Sequence, residues 1–115
     1  MEAGQQRTIA AAFGGDDFTA DFEVYRSESD KELDFARKWF ALCCHAYGVT
    51  SIDTPYVQFK NPDGLREQLD YLTTIGVKAK FAIHPTQIDI INEKLSPSEA
   101  EVQYYSRMVE QFEKA

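Results

Sequence analysis

Positive charge is scarce in this chain: 12 lysines and arginines stand against 19 aspartates and glutamates, a formal net charge of −7 over 115 residues. Phosphate backbones are bound through basic stripes, and with none present no nucleic-acid partner is expected. Long apolar runs are also missing. Nothing approaches the roughly 18 consecutive apolar residues of a bilayer span, so no membrane partner is expected either. The first residues form neither an apolar core nor an Arg-rich, acid-poor amphipathic stretch, so no targeting peptide is visible. Cysteine is limited to Cys43 and Cys44, adjacent in a helical pattern, where an ordinary disulfide between them is geometrically unfavourable. A reducing compartment fits, the cytoplasm or the mitochondrial matrix. There is no internal repeat, low-complexity tract or linker. With 43% hydrophobic residues the chain can bury one small core, so residues 1–115 read as one domain at most.

What is present starts with Phe13-Gly14-Gly15-Asp16-Asp17-Phe18. The residues before it, Ile9 to Phe13, read as a short buried strand, apolar throughout. The two glycines allow a turn in which the backbone can approach a ligand closely. Two carboxylates follow, on the rim of whatever sheet the strand joins. Hard cations such as Mg²⁺ take oxygen ligands, carboxylates among them, so the place suits a metal. It equally suits a plainer role, with Asp16 or Asp17 capping a helical turn that runs through Thr19 to Phe22.

Downstream, strands and helices alternate. The acidic stretch from Thr19 to Asp30 predicts a short helical turn and then a loop. Ser29 or Asp30 is placed to cap a helix over about Lys31 to Tyr47, with Gly48 at its C′ position. That helix is apolar around most of its girth, leaving a narrow wet stripe of Asp34, Lys38, Ala41 and His45. Trp39, Phe40 and Tyr105 read as core residues. A second strand lies near Thr50 to Asp53. Asn61-Pro62 is an N-cap followed by proline at N1, opening a helix that Gly76 closes. A third strand spans Ala79 to Ile83 and ends in His84-Pro85, ahead of a short helix over Thr86 to Asn92. Ser96-Pro97-Ser98-Glu99 supplies a capping box for a last helix, with Val102, Tyr105, Val109 and Phe112 at helical spacing.

This order predicts parallel strands joined by helical crossovers. In such sheets, functional groups gather at the carboxyl ends of the strands. Here those ends carry Asp16 and Asp17, then Asp53, then His84. Plainer readings exist for the last two: Asp53 satisfying backbone donors, and His84 as a capping or core residue. Three parallel strands leave two open edges and cannot close a barrel. The chain therefore reads as incomplete.

Taken together, FGGDDF, DFARK (Asp34 to Lys38), SIDTPY (Ser51 to Tyr56), DGL (Asp63 to Leu65) and AIHPTQI (Ala82 to Ile88) resemble the citrate lyase β-subunit-like family, within the HpcH/HpaI aldolases. The resemblance runs from about Thr8 to Phe112 with its motifs in order, and it matches the C-terminal portion of the family's domain. It implies an α/β fold, a partial TIM (β/α)8 barrel to which this chain gives roughly strands six to eight. It also implies Mg²⁺-dependent carbon–carbon lyase chemistry on a hydroxyacyl-CoA thioester of the citramalyl-CoA, malyl-CoA or citryl type. The products are a ketoacid and an acyl thioester enolate that is then protonated. By the same resemblance Asp17 ligates Mg²⁺, and Ile83 and His84 contact the acyl-CoA thioester substrate. Asp16 and Asp53 are candidates for the supporting layer behind these contacts.

Three parts of the family site lie outside the chain: a metal-binding glutamate on an earlier strand, an arginine for the substrate carboxylate, and an acidic residue in a C-terminal extension. Gln58 and Asn61 stand where relatives often carry aspartate. No catalytic acid or base is therefore assigned, and the chain alone is expected to be inactive. A missing N-terminal half-barrel, or a homo-oligomer, would complete it. Two readings from other classes stand beside this one. The first is a non-catalytic remnant acting as a binding or assembly partner. The second is a nucleotide cyclase, because FGGDDF differs by one residue from the GGDEF signature; that signature, however, lies in a hairpin well inside a longer domain.

Overall fold

The structure, a computed structural model, describes residues 8–114; the amino-terminal stretch searched for a targeting peptide lies mostly outside them. In chain order come β1 (Ala10–Ala12), α1 (Gly15–Asp21), a 3-10 turn (Lys31–Leu33), α2 (Asp34–Ala46), β2 (Thr50–Asp53), α3 (Pro62–Thr74), β3 (Ala79–Lys80), α4 (Thr86–Leu95) and α5 (Glu99–Lys114). The strands form one parallel sheet in the order β1-β2-β3. Ala10, Ala11 and Ala12 stand opposite Thr50, Ser51 and Ile52, and Ile52 and Asp53 stand opposite Ala79 and Lys80.

The sheet has two unequal faces. Side chains alternate along a strand, and in β2 Ser51 and Asp53 are buried toward the helices while Thr50 is exposed. Ala10 and Ala12, in register with Thr50 and Ile52, lie on the same open face as those two residues. The core lies on the helix side, where Leu65, Leu69 and Leu72 of α3 meet Ile90 and Ile91 of α4, Val77, Tyr56 and Ala41 of α2.

Local chemistry explains the helix limits. Asn61 caps α3 by accepting a 3.0 Å bond from the Gly64 N–H, with Pro62 at the first helical position. Gly48 and Gly76 follow α2 and α3 at positive φ, +67° and +83°, which only glycine takes without strain. Ser98 Oγ accepts from the Glu101 N–H at the start of α5, and α4 runs three residues past the expected Asn92 to Leu95.

Four expectations are corrected. The segment from Ile9 to Phe13 is not a buried strand: pairing covers Ala10–Ala12, Ile9 at its start is 82% exposed, and Ala10 and Ala12 lie on the uncovered face of the sheet. β3 stops at Lys80 instead of Ile83. Asp30 does not cap a helix; it sits at φ 55° with no capping bond, its carboxylate taken up by arginines. On α2, Ala41 belongs to the covered stripe with Leu33, Arg37 and Cys44, whereas Trp39 is 60% exposed, as is Tyr105 on α5. A helix apolar on most sides does not reveal from its periodicity which face is covered. Cys43 and Cys44 are both free thiols.

Candidate functional site

Past the end of β1, Phe13 and the glycine pair lead into α1, whose first turn carries the two aspartates. Gly15 is fixed there by its N–H, which donates 3.1 Å to Thr54 Oγ1 at the end of β2. A Cβ at Gly15 would come within 3.0 Å of both Thr54 and Leu33, so the turn is closely packed. Asp16 and Asp17 are exposed on the rim. Asp16 accepts 3.0 Å from Arg26 Nη1, whereas Asp17 has no hydrogen-bond or ion-pair partner among the described residues and is the open carboxylate of the two.

Behind the rim, six charged side chains alternate in sign. Arg26 grips Asp30 with two bonds of 2.8 and 3.1 Å and donates 2.7 Å to the Pro55 carbonyl. Arg37 reaches Asp30 at 3.4 Å and Asp53 at 2.8 Å. Asp53 also takes Lys80 Nζ at 2.6 Å, and Lys80 donates a second 2.6 Å bond to the Thr54 carbonyl. The series Asp16–Arg26–Asp30–Arg37–Asp53–Lys80 thus runs from the rim to β3 with no net charge. Burial raises the pKa of the Asp30 carboxyl, but hydrogen bonds from Arg26 and Gln68 outweigh that and hold it below the usual carboxylate range. Burial pulls Lys80 down to about 8, only partly offset by Asp53. Asp53 faces the helices in this network, away from the open face of the sheet.

The third part of the rim is the turn after β3. The Ile83 N–H donates 2.9 Å to Gln87 Oε1, while Gln87 Nε2 donates 2.8 Å to the Tyr56 carbonyl. Buried Gln87 thereby ties this turn to the segment after β2. His84 Nδ1 accepts 3.2 Å from the Thr86 N–H, so its ring proton sits on Nε2. The ring stacks on Phe59, with centroids 4.9 Å apart. β2 separates this turn from the acidic one, so the two lie two strand spacings apart, about 10 Å.

A cleft of about 730 Å³ opens elsewhere, between α2 and α3, lined by Asp30, Asp34, Arg37, Tyr56, Gln68 and Tyr71 among others. None of Asp16, Asp17, Ile83 or His84 lines it, and its arginine is already paired. The strand-end rim, with an open carboxylate and an imidazole N–H, has the groups for chemistry.

The donor set fits Mg²⁺ in part. Asp17 offers a free, hard oxygen ligand, but no group of three or more His, Cys, Asp or Glu that could hold a metal occurs among the described residues. Further ligands have to come from elsewhere. Arg26, Arg37, Lys80 and Gln87 were not singled out from the sequence. Only Arg37 carried a signal: it lies at helical spacing with Leu33 and Cys44, and a guanidinium on an apolar stripe requires an acidic partner once that stripe is covered.

Comparison with known proteins gives this rim a context. The family model for HpcH/HpaI aldolase/citrate lyase matches residues 3–85. Mitochondrial citramalyl-CoA lyase of Mus musculus is 29% identical over 103 residues, 90% of this chain and 30% of that protein. Citrate lyase subunit beta of Escherichia coli K12 is 30% identical over 110 residues, 96% of this chain and 36% of that protein. The chain thus spans about a third of the length of these relatives. Among solved structures, RipC from Yersinia pestis superposes with a TM-score of 0.75 at 31% identity, covering 82% of this chain and 43% of that one. CitE from Mycobacterium tuberculosis, in complex with magnesium, acetoacetate and coenzyme A, superposes with a TM-score of 0.68 at 19% identity, covering 90% of this chain and 41% of that one. The fold is α/β, a three-stranded piece of the citrate lyase β-like TIM barrel. The chain belongs to the HpcH/HpaI aldolase/citrate lyase family.

Proposed function

We propose that this chain is the C-terminal portion of a Mg²⁺-dependent carbon–carbon lyase that cleaves a hydroxyacyl-CoA thioester of the citramalyl-CoA, malyl-CoA or citryl type. One observation carries the reading. In a chain of this family, an unpartnered carboxylate, Asp17, and the Ile83–His84 turn stand on the same carboxyl-terminal rim of a parallel sheet. Magnesium, when bound, supplies positive charge that polarises the substrate's hydroxyl and carboxylate oxygens and offsets the negative charge released on cleavage. Asp17 holds the ion, and Asp16 stays in its arginine pair. His84 offers its Nε2–H to a substrate oxygen while Phe59 and Thr86 fix the ring. Ile83 lines the same turn, and its side chain is half exposed. Asp53 acts behind the rim through Arg37 and Lys80. No residue here serves as the general acid or base, so lyase turnover requires the rest of the barrel.

The test is Asp17→Asn in the full-length protein encoded with this sequence. The variant should lose Mg²⁺ binding in a titration and lose cleavage of citramalyl-CoA and malyl-CoA. Unchanged Mg²⁺ affinity would sink the assignment. A wild-type protein that co-purifies with a partner but turns over neither thioester favours a non-catalytic assembly role instead.

A further inference from the structure

Arg26 reaches three separate connections near the strand ends. Its guanidinium donates through Nη1 to Asp16 in the β1–α1 turn, through Nε and Nη2 to Asp30 ahead of α2, and through Nη2 to the Pro55 carbonyl after β2. Asp16 is 74% exposed and the arginine only 8%. An exposed rim residue is therefore gripped by a buried, doubly anchored cation. The planar fork of arginine makes such a grip directional. Asp30 is itself held by Arg37 and by Gln68 Nε2 at 2.9 Å, so the anchor does not yield.

The consequence falls on the neighbour. Asp16 and Asp17 are adjacent in the first turn of α1, and two carboxylates so placed compete for the same cation. With Asp16 committed to Arg26, only Asp17 remains open, and the direction of α1's first turn is fixed from Asp16 as well as from Gly15. We propose that Arg26 is a positioning residue for the metal site: by binding Asp16 it aims Asp17 at the ion and keeps Asp16 from acting as a ligand. This rests on the reading of Asp17 as the Mg²⁺ ligand. It assigns a task to a residue 9 positions beyond that ligand, in a loop with no chemical motif of its own.

The experiment is a Mg²⁺ titration on the full-length protein as wild type, Arg26→Gln, Asp16→Ala and the double variant, with unfolding midpoints measured alongside. Removing a supporting contact behind a metal ligand weakens affinity by about 10- to 100-fold. Arg26→Gln and Asp16→Ala should each fall in that range, and the double variant should bind no more weakly than the weaker single one, because both remove one contact. An Arg26→Gln protein with a lowered midpoint but wild-type Mg²⁺ affinity overturns the proposal, as does a double variant whose losses add. If Arg26→Gln does not fold, Asp16→Asn decides. Asparagine still accepts from Arg26 Nη1, so affinity should stay within about threefold of wild type while Asp16→Ala loses tenfold or more; equal losses show that Asp16 ligates directly. Should Asp17→Asn bind Mg²⁺ like wild type, the functional reading itself falls and the clamp falls with it, a result distinct from the others.

Discussion

Lys80 and Asp30 are buried in one network, yet they respond to pH from opposite ends of the scale. The Lys80 ammonium is brought from 10.5 down to about 8 by burial. Between these values the unfolded chain carries a proton that the folded chain has released, so stability rises with pH across that window. The rise attributable to Lys80 reaches at most about 3 kcal/mol at ~1.4 kcal/mol per pKa unit. Comparing urea unfolding of wild type and Lys80→Met from pH 7.5 to 10 isolates it. The difference should grow in favour of wild type as pH increases, and a difference that stays flat contradicts the burial of a strained ammonium. Asp30 has the reverse sign. Its carboxylate is held below 3.8 by Arg26 and Gln68 against its own burial. The stability it gives is complete above its unfolded value and is lost as acid takes the pH down through the folded one. Asp30→Ala leaves Arg26 and Arg37 without their shared partner and should cost about 3–5 kcal/mol at neutral pH, read from the same unfolding curves.

At the scale of elements, Gly64 in the first turn of α3 shows how packing overrides propensity. Alanine is the better helix former by about 1 kcal/mol, but a Cβ at Gly64 would lie 2.1 Å from the Tyr56 hydroxyl and 2.7 Å from Asn61 Nδ2. Tyr56 is buried against the α3–α4 core, so relieving the clash means displacing a packed ring. Gly64→Ala should therefore destabilise by about 1–3 kcal/mol, as overpacking does. Adding Tyr56→Phe should return most of that loss in a thermal melt; a melt unchanged by Gly64→Ala contradicts the packing. The DGL motif made this glycine visible in the sequence, but not the reason for it. Asn61-Pro62 and the glycines after α2 and α3 were legible because caps and positive φ are local matters of a few residues. The covered face of α2 was not. Its choice between Ala41 and Trp39 depends on β2 and α3, and the paired roles of Arg26, Arg37 and Lys80 depend on partners 4 to 29 residues away. The strand-end rule picked out the acidic turn and His84 because Asp16 and His84 each lie within four residues of a strand end, whereas for Asp53 it gave no direction of facing.

For the whole molecule, the radius of gyration of 16.2 Å exceeds the about 13 Å of a compact domain of this length. The shape is elongated, 54 × 38 × 22 Å, and leaves apolar surface unpartnered. α5 buries none of its residues, and Val102, Tyr105, Val109 and Phe112 are all exposed. On α2, Phe35 and Trp39 stack at 6.3 Å on the face turned away from the core, with Leu42 beside them. The open face of the sheet adds Ala10, Ala12 and Thr50. Contiguous apolar surface of this kind marks an interface or a route to aggregation, and a barrel wall that covers only a third of its relatives' length has both edges to satisfy. The 115-residue chain made by itself should therefore bind an apolar dye and associate as its concentration rises. Trp39 is the chain's single tryptophan, so its emission reads the α2 face without interference: freely quenched by acrylamide in dilute solution, protected once the face is covered. Replacing Phe35 and Trp39 together by glutamate should suppress association while leaving far-UV dichroism unchanged, because neither side chain contributes to the α3–α4 core. A wild-type chain that sediments as a monomer at its highest attainable concentration and binds no dye would show that these faces are satisfied within the chain, and the partial-barrel account of its exposed surface would then be wrong.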